Sequence, residues 1–125
     1  MTYNIAVAII DDSLLFRSAL KEVLKIMGFN IIADVENVQD LFDALTATKK
    51  SPDVCLVDIK LTVFDLHETL KKIRSRYPTV KVLGMTMLDN EISRRKIIEA
   101  GADGCIVKTD PTEDLENQIL ELFKQ

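Results

Sequence analysis

The chain of 125 residues is one ordinary domain, and a composition 47% hydrophobic and 29% charged supports a packed core and excludes global disorder. Sixteen Lys and Arg against 20 Asp and Glu give a net charge of −4, which argues against a nucleic-acid-coating surface. No apolar run approaches the length of about 18 residues that crosses a bilayer, and the run from Ile5 to Ile10 is too short for a signal-peptide core. Cys55 and Cys105 stand in separate apolar runs without CxxC spacing. They read as buried, reduced thiols of a cytoplasmic domain rather than as metal or redox ligands.

Apolar runs and helical patterns alternate along the chain. Ile5 to Ile10 lacks polar alternation and predicts a strand buried on both faces. Phe16, Ala19, Leu20, Val23, Leu24 and Met27 form one helical stripe, closed by a C-terminal cap at Gly28. Ile31 to Val35 is a second strand, and Asn37 is placed to cap a helix whose stripe is Val38, Leu41, Phe42 and Leu45. After the Ser51-Pro52 break, Val54 to Val57 predicts a third strand ending at Asp58. A third helix carries Leu66, Leu70, Ile73 and Tyr77 and stops before Pro78. Val80 to Met85 forms a fourth strand that runs out at Thr86. The helix from about Glu91 to Ala100 has a thin apolar face, with Ile92, Ile97 and Ile98 among Arg94, Arg95 and Lys96. Cys105 to Val107 is the fifth strand, followed by Lys108. Asp110-Pro111-Thr112-Glu113 reads as a cap, a proline at the first helical position and a capping-box Glu ahead of a last helix lined by Leu115, Ile119, Leu122 and Phe123.

Five strands alternating with five helices make a (βα)5 unit, an α/β fold with a doubly wound parallel sheet and helices on both faces. The strand order 2-1-3-4-5 is adopted by analogy with flavodoxin-like sheets, in which ligands bind at the carboxyl ends of the strands. To that edge the first strand delivers Asp11 and Asp12, the third Asp58, the fourth Thr86 and the fifth Lys108. Each alone is an ordinary turn or cap residue, or a solvated lysine. Together they specify a chemistry. Three crowded carboxylates repel one another unless a cation joins them, and hard oxygen ligands with open water positions suit Mg2+ completed by phosphate oxygens. A carboxylate in such a place attacks a phosphoryl group and forms an acyl phosphate. Asp58, on the central strand, is the natural nucleophile. Lys108 offsets charge on the phosphoryl oxygens, and the Thr86 hydroxyl donates to one of them.

These residues carry a resemblance. IIDD (Ile9 to Asp12), PDVCLVD (Pro52 to Asp58), KVLGMT (Lys81 to Thr86) and AGADGCIVK (Ala100 to Lys108), in this order and spacing, resemble a response-regulator receiver domain of two-component signalling. The likeness covers essentially the whole chain, read as a single receiver over 1–125. It implies Asp58 as phosphoacceptor, Asp12 as a direct Mg2+ ligand, Asp11 acting mostly through water and the Lys60 backbone carbonyl as a further ligand. Thr86 and Lys108 are implied as contacts to the phosphoryl group. The stretches RYPTVKVLGMTMLDN and AGADGCIVK are similar to receivers of LuxR-type two-domain regulators, whose DNA-binding domain follows the receiver. The resemblance implies a sensor histidine kinase or phosphotransfer protein as partner, and a signalling domain rather than an enzyme.

Some positions depart from the family pattern. Leu61-Thr62 replaces the Met-Pro that commonly follows the phosphoacceptor, and Leu66 the usual Gly after Asp65. Thr109 replaces the proline after the lysine, and a cis bond before a non-proline residue costs roughly 2.5–4 kcal/mol. Cys105 occupies the place of the aromatic switch residue that swings inward with Thr86, so the phosphorylation set is intact while the usual output lever is missing. The Asp11-Asp12 pair is not the D-x-D of a first-strand aspartyl phosphatase, and Asp-Asp-Ser-Leu-Leu would repel the phosphate of a flavin. The competing reading is a pseudo-receiver that docks partners without phosphorylation. The output surface is expected to be the helix from about Glu91 to Ala100, the fifth strand and the last helix. That surface is also expected to mediate homodimerisation or contact with a following domain, with no DNA or membrane binding by this chain alone. His67 reads as solvated surface, and of Met85 and Met87 one packs in the core while the other borders the pocket.

Overall fold

The computed structural model describes residues 2–59 and 63–124. Five strands and five helices alternate: β1 Ala6–Ile10, α1 Leu14–Met27, β2 Asn30–Val35, α2 Val38–Thr48, β3 Val54–Asp58, α3 Val63–Arg76, β4 Lys81–Thr86, α4 Glu91–Glu99, β5 Gly104–Val107 and α5 Thr112–Glu121. All neighbouring strands pair in parallel in the order β2-β1-β3-β4-β5, the flavodoxin-like arrangement expected. Residue alternation sorts the sheet into two cores. Val7, Ile9, Val54 and Leu56 pack against Leu20 and Leu24 of α1 and Leu115 and Ile119 of α5. Ala8, Ile10, Cys55 and Val57 pack against Leu41 and Leu45 of α2, Leu66, Leu70 and Ile73 of α3, and Ile97 of α4.

Caps set several helix ends. Ser13 Oγ accepts the Phe16 N–H (3.3 Å), Asn37 Oδ1 the Asp40 N–H (2.9 Å) and Asn90 Oδ1 the Ser93 N–H (2.8 Å). Gly28 closes α1 at φ 103°, a left-handed conformation that costs glycine no Cβ clash. The cap expected at Asp110 is displaced by one residue. Pro111 is itself the N-cap, with extended backbone (φ −56°, ψ 148°) and no side-chain cap bond, and the Asp110 N–H donates to the Val107 carbonyl (2.9 Å). Helix α4 is thinner inside than its sequence suggests: Ile97 is buried, while Ile92 and Ile98 are exposed. Cys55 is buried, but Cys105 is only half-buried, at variance with the pair of buried thiols expected. The Lys108–Thr109 peptide is trans. Met85 is in the core and Met87 is exposed on the loop after β4.

Candidate functional site

The parallel sheet brings four strand ends to one edge, and the side chains there converge. Asp11, Asp12 and Asp58 each offer a carboxylate oxygen, and these atoms lie within 4.8 Å of one another. Asp11 is buried, Asp58 half-buried and Asp12 exposed, so the cluster runs from the interior to solvent. Lys108 follows β5, two strands away from β3, and its stem reaches back past the end of β4. Its Nζ bonds Asp11 Oδ2 at 2.7 Å and Asp58 Oδ1 at 3.1 Å. The Lys108 side chain is only 5% exposed, against the solvated position usual for a lysine after a strand. With one buried ammonium shared by two carboxylates, removal of the ammonium leaves both carboxylates uncompensated.

Asp11 is fixed through all its polar groups. Its N–H donates to the Val35 carbonyl (2.9 Å), its Oδ1 accepts from the Ser13 N–H (2.8 Å), and its backbone carbonyl accepts from Arg17 Nη1. Arg17, buried on α1, also faces Asp34 of β2 at 3.5 Å, and Lys21 pairs with the same carboxylate at 3.1 Å. Sequence reasoning missed Arg17. Its signal was a charge placed inside the apolar stripe, one residue beyond Phe16. Beside the cluster a cavity of about 210 Å³ is bordered by Asp11, Asp12, Asn37, Asp58 and Thr69.

Thr86 ends β4, buried, and its Oγ1 accepts the Leu88 N–H at 3.0 Å, while its carbonyl accepts the Lys108 N–H at 2.7 Å. The fourth and fifth strand ends are thus tied at Thr86. Lys60, whose carbonyl was expected as a further ligand, lies outside the described residues, as do Leu61 and Thr62. Cys105 is on β5, where burial pushes its thiol up against the opposing pull of Arg94. His67 is exposed on α3, with Nδ1 3.2 Å from the Ala100 carbonyl, which accepts from the Nδ1–H tautomer.

Three hard-oxygen donors around an open cavity fit a cation that keeps several waters, as Mg2+ does, and disfavour metals that seek nitrogen or sulfur. Asp11, Asp12 and Asp58 are the side chains able to hold it. The doubly wound sheet thus presents a carboxylate cluster, a buried ammonium and a buried hydroxyl together at its carboxyl edge. Residues 7–120 match the model of the response regulator receiver domain, and the chain belongs to that family.

The chain is 33% identical over 106 residues to the transcriptional regulatory protein DegU of Brevibacillus brevis, an alignment covering 84% of this chain and 44% of DegU. It is 30% identical over 104 residues to the chemotaxis protein CheY of Listeria monocytogenes, covering 80% of this chain and 82% of CheY. Among solved structures it resembles a LuxR-family DNA-binding response regulator from Staphylococcus aureus, with a TM-score of 0.75 at 24% identity over 94% of this chain and 98% of that one. The chain spans about half the length of curated relatives it matches, 44% of DegU and 57% of a nitrate/nitrite response regulator homologue of Haemophilus influenzae. Receivers are signalling domains of two-component systems rather than classical enzymes.

Proposed function

We propose that this chain, acting as one receiver unit, accepts a phosphoryl group on Asp58 from a sensor histidine kinase or phosphotransfer protein. The observation that carries the reading is the Lys108 ammonium bonded at once to Asp11 and Asp58 inside the carboxylate cluster. An Asp58 carboxylate oxygen attacks phosphorus, an oxygen–phosphorus bond forms, and the phosphorus–nitrogen bond of the donor's phosphohistidine breaks with its electron pair leaving on the imidazole. Mg2+, held by Asp11, Asp12 and Asp58, supplies positive charge for the phosphoryl oxygens when bound. Lys108 exchanges Asp58 Oδ1 for a phosphoryl oxygen, and the Thr86 hydroxyl turns its proton toward another.

The output follows from the ties of α4. Its C-terminal end is held to α3 by His67 on the Ala100 carbonyl and by Arg74 on the Gly101 carbonyl and on Asp103 Oδ2 (2.7 Å). Its N-terminal side is joined to the site by the bond from the Leu88 N–H to Thr86 Oγ1. A Thr86 hydroxyl drawn to the phosphoryl group therefore releases the 87–90 loop while the far end stays latched. This makes α4, β5 and α5 the switched surface, for homodimerisation or for control of a following DNA-binding domain and transcription. The pseudo-receiver reading rests on half-buried Cys105, too small to act as an aromatic plug.

The test is incubation with acetyl phosphate and Mg2+, followed by intact-mass analysis. One added phosphoryl group is expected in the wild type and none in Asp58→Asn; the same label in Asp58→Asn refutes the nucleophile. Hydrogen exchange with Mg2+ and beryllofluoride is expected to change mainly between Thr86 and Lys108. A change confined to the Asp58–Leu66 segment refutes the route.

A further inference from the structure

The Lys108 ammonium has a third neighbour that the carboxylates do not explain. Its Nζ stands 4.3 Å from the centroid of the Phe16 ring. An ammonium carries three N–H donors. Two are directed at Asp11 Oδ2 and Asp58 Oδ1, and the ring face covers the remaining side. Phe16 and Lys108 both border a cavity of about 150 Å³, lined mainly by apolar side chains such as Leu20, Ile106 and Leu115, with Asp110 and Thr112 as its other polar residues. The ring's place is tied to the acid cluster through one residue. Ser13 Oγ accepts the Phe16 N–H (3.3 Å), and the Ser13 N–H donates to Asp11 Oδ1 (2.8 Å). Asp11 and Phe16 are therefore set by the same helix cap.

We infer that Phe16 is a positioning residue for Lys108, its ring face holding the ammonium between Asp11 and Asp58 and letting it slide onto the transferred phosphoryl group. The inference rests on the phosphoryl-acceptor reading. A hydrogen-bond acceptor on that side would hold an N–H in one direction and would have to be broken as Lys108 moves. The attraction of a ring face for a cation is broad in angle, so Nζ keeps it throughout the exchange of Asp58 Oδ1 for a phosphoryl oxygen. The same face keeps water from competing for the third donor.

The test compares the full chain with Phe16→Leu, with Phe16→Tyr, and with mono-, di- and trifluorophenylalanine at position 16. Ring fluorines drain the negative face while leaving shape and apolar bulk nearly unchanged. Phosphorylation is followed at saturating acetyl phosphate and Mg2+. The logarithm of the rate should fall in step with the number of fluorines, to a loss on the order of fivefold for three, with Phe16→Leu at least as slow. Phe16→Tyr, which keeps the face, should restore most of the rate, and the Mg2+ dissociation constant should stay within twofold throughout. A rate flat across the fluorinated set but low in Phe16→Leu shows packing alone and overturns the inference. A separate reading comes from NMR: the Lys108 Hε protons should be displaced upfield by the ring in the wild type and return to ordinary positions in Phe16→Leu. Hε protons at ordinary positions in the wild type overturn the inference whatever the phosphorylation result. A wild type that gains no phosphoryl group refutes the proposed function instead, and the Hε displacement alone then decides whether Phe16 holds Lys108.

Discussion

Replacing Lys108 by Met keeps most of the stem's length and apolar volume and deletes the ammonium. Asp11, its side chain fully buried, and Asp58, 9% exposed, then face each other without the cation that now sits 2.7 and 3.1 Å from them. Breaking a buried ion pair by removing one partner costs about 3–5 kcal/mol. Asp58 opens onto the 210 Å³ cavity and Asp11 keeps the Ser13 N–H, so the lower end applies, about 3 kcal/mol without metal. For a domain of this length that is a fall in melting temperature on the order of 10 °C. Mg2+ at ten times its dissociation constant adds RT ln 11, about 1.4 kcal/mol, to the wild type. In Lys108→Met the divalent ion no longer shares its carboxylates with an ammonium, so its increment should be larger and the deficit should shrink. Urea unfolding followed by circular dichroism, in EDTA and in MgCl2, measures both; the chain has no tryptophan to report by fluorescence. A variant that loses under about 1 kcal/mol in EDTA, or that gains the same Mg2+ increment as the wild type, refutes the assignment of Lys108 as the neutralising cation.

Gly84 of β4 lies under the Ile97 side chain of α4: a Cβ there would lie 2.6 Å from Ile97 Cγ2 and 3.3 Å from Ile59 Cγ2. Gly84→Ala should cost about 1–3 kcal/mol in urea unfolding, and an unchanged midpoint would show that α4 moves aside freely. Burial pushes the Cys55 thiol up to about 12 from 9.0, so above pH 9 the unfolded chain releases this proton before the folded one does. Stability should be fully present below pH 9 and decline toward pH 12 by at most about 1.4 kcal/mol per unit from this group, and Cys55→Ala should flatten that slope. Under native conditions at pH 8, iodoacetamide should modify half-buried Cys105 and spare Cys55; equal labelling would contradict the burial of β3.

The fold was readable because two periodicities alternate cleanly. Unbroken apolar runs such as Val54–Val57 are what a strand covered on both faces requires, and the stripe from Phe16 to Met27 is what a helix on one face requires. The boundaries that slipped were those decided by backbone bonds rather than by side-chain pattern. Asp110 has the chemistry of a cap, but its N–H is turned back to Val107, and the helix begins after Pro111 instead. The depth of Cys105 was misread for a related reason. A four-residue strand at the sheet's edge is apolar in sequence whether or not both of its sides are covered, and this thiol is half-buried.

The candidate site divides along the same line. Residues delivered by strand ends are legible, because parallel strands stop at one edge and whatever polar residue follows each must gather there. That reasoning brings Asp11, Asp12, Asp58, Thr86 and Lys108 to one edge. Residues delivered by helix phase are not. Phe16 and Arg17 are neighbours in sequence, about 100° apart around α1, and an apolar stripe claims the first and ignores the second. Yet the cap at Ser13 sets both: one turn into α1, Phe16 faces the Lys108 ammonium while Arg17 reaches back to the Asp11 carbonyl. A stripe reports that a side chain turns inward, but not whether it meets a methyl group or a charge. Here the residue that looks most like ordinary core packs against the ammonium shared by Asp11 and Asp58.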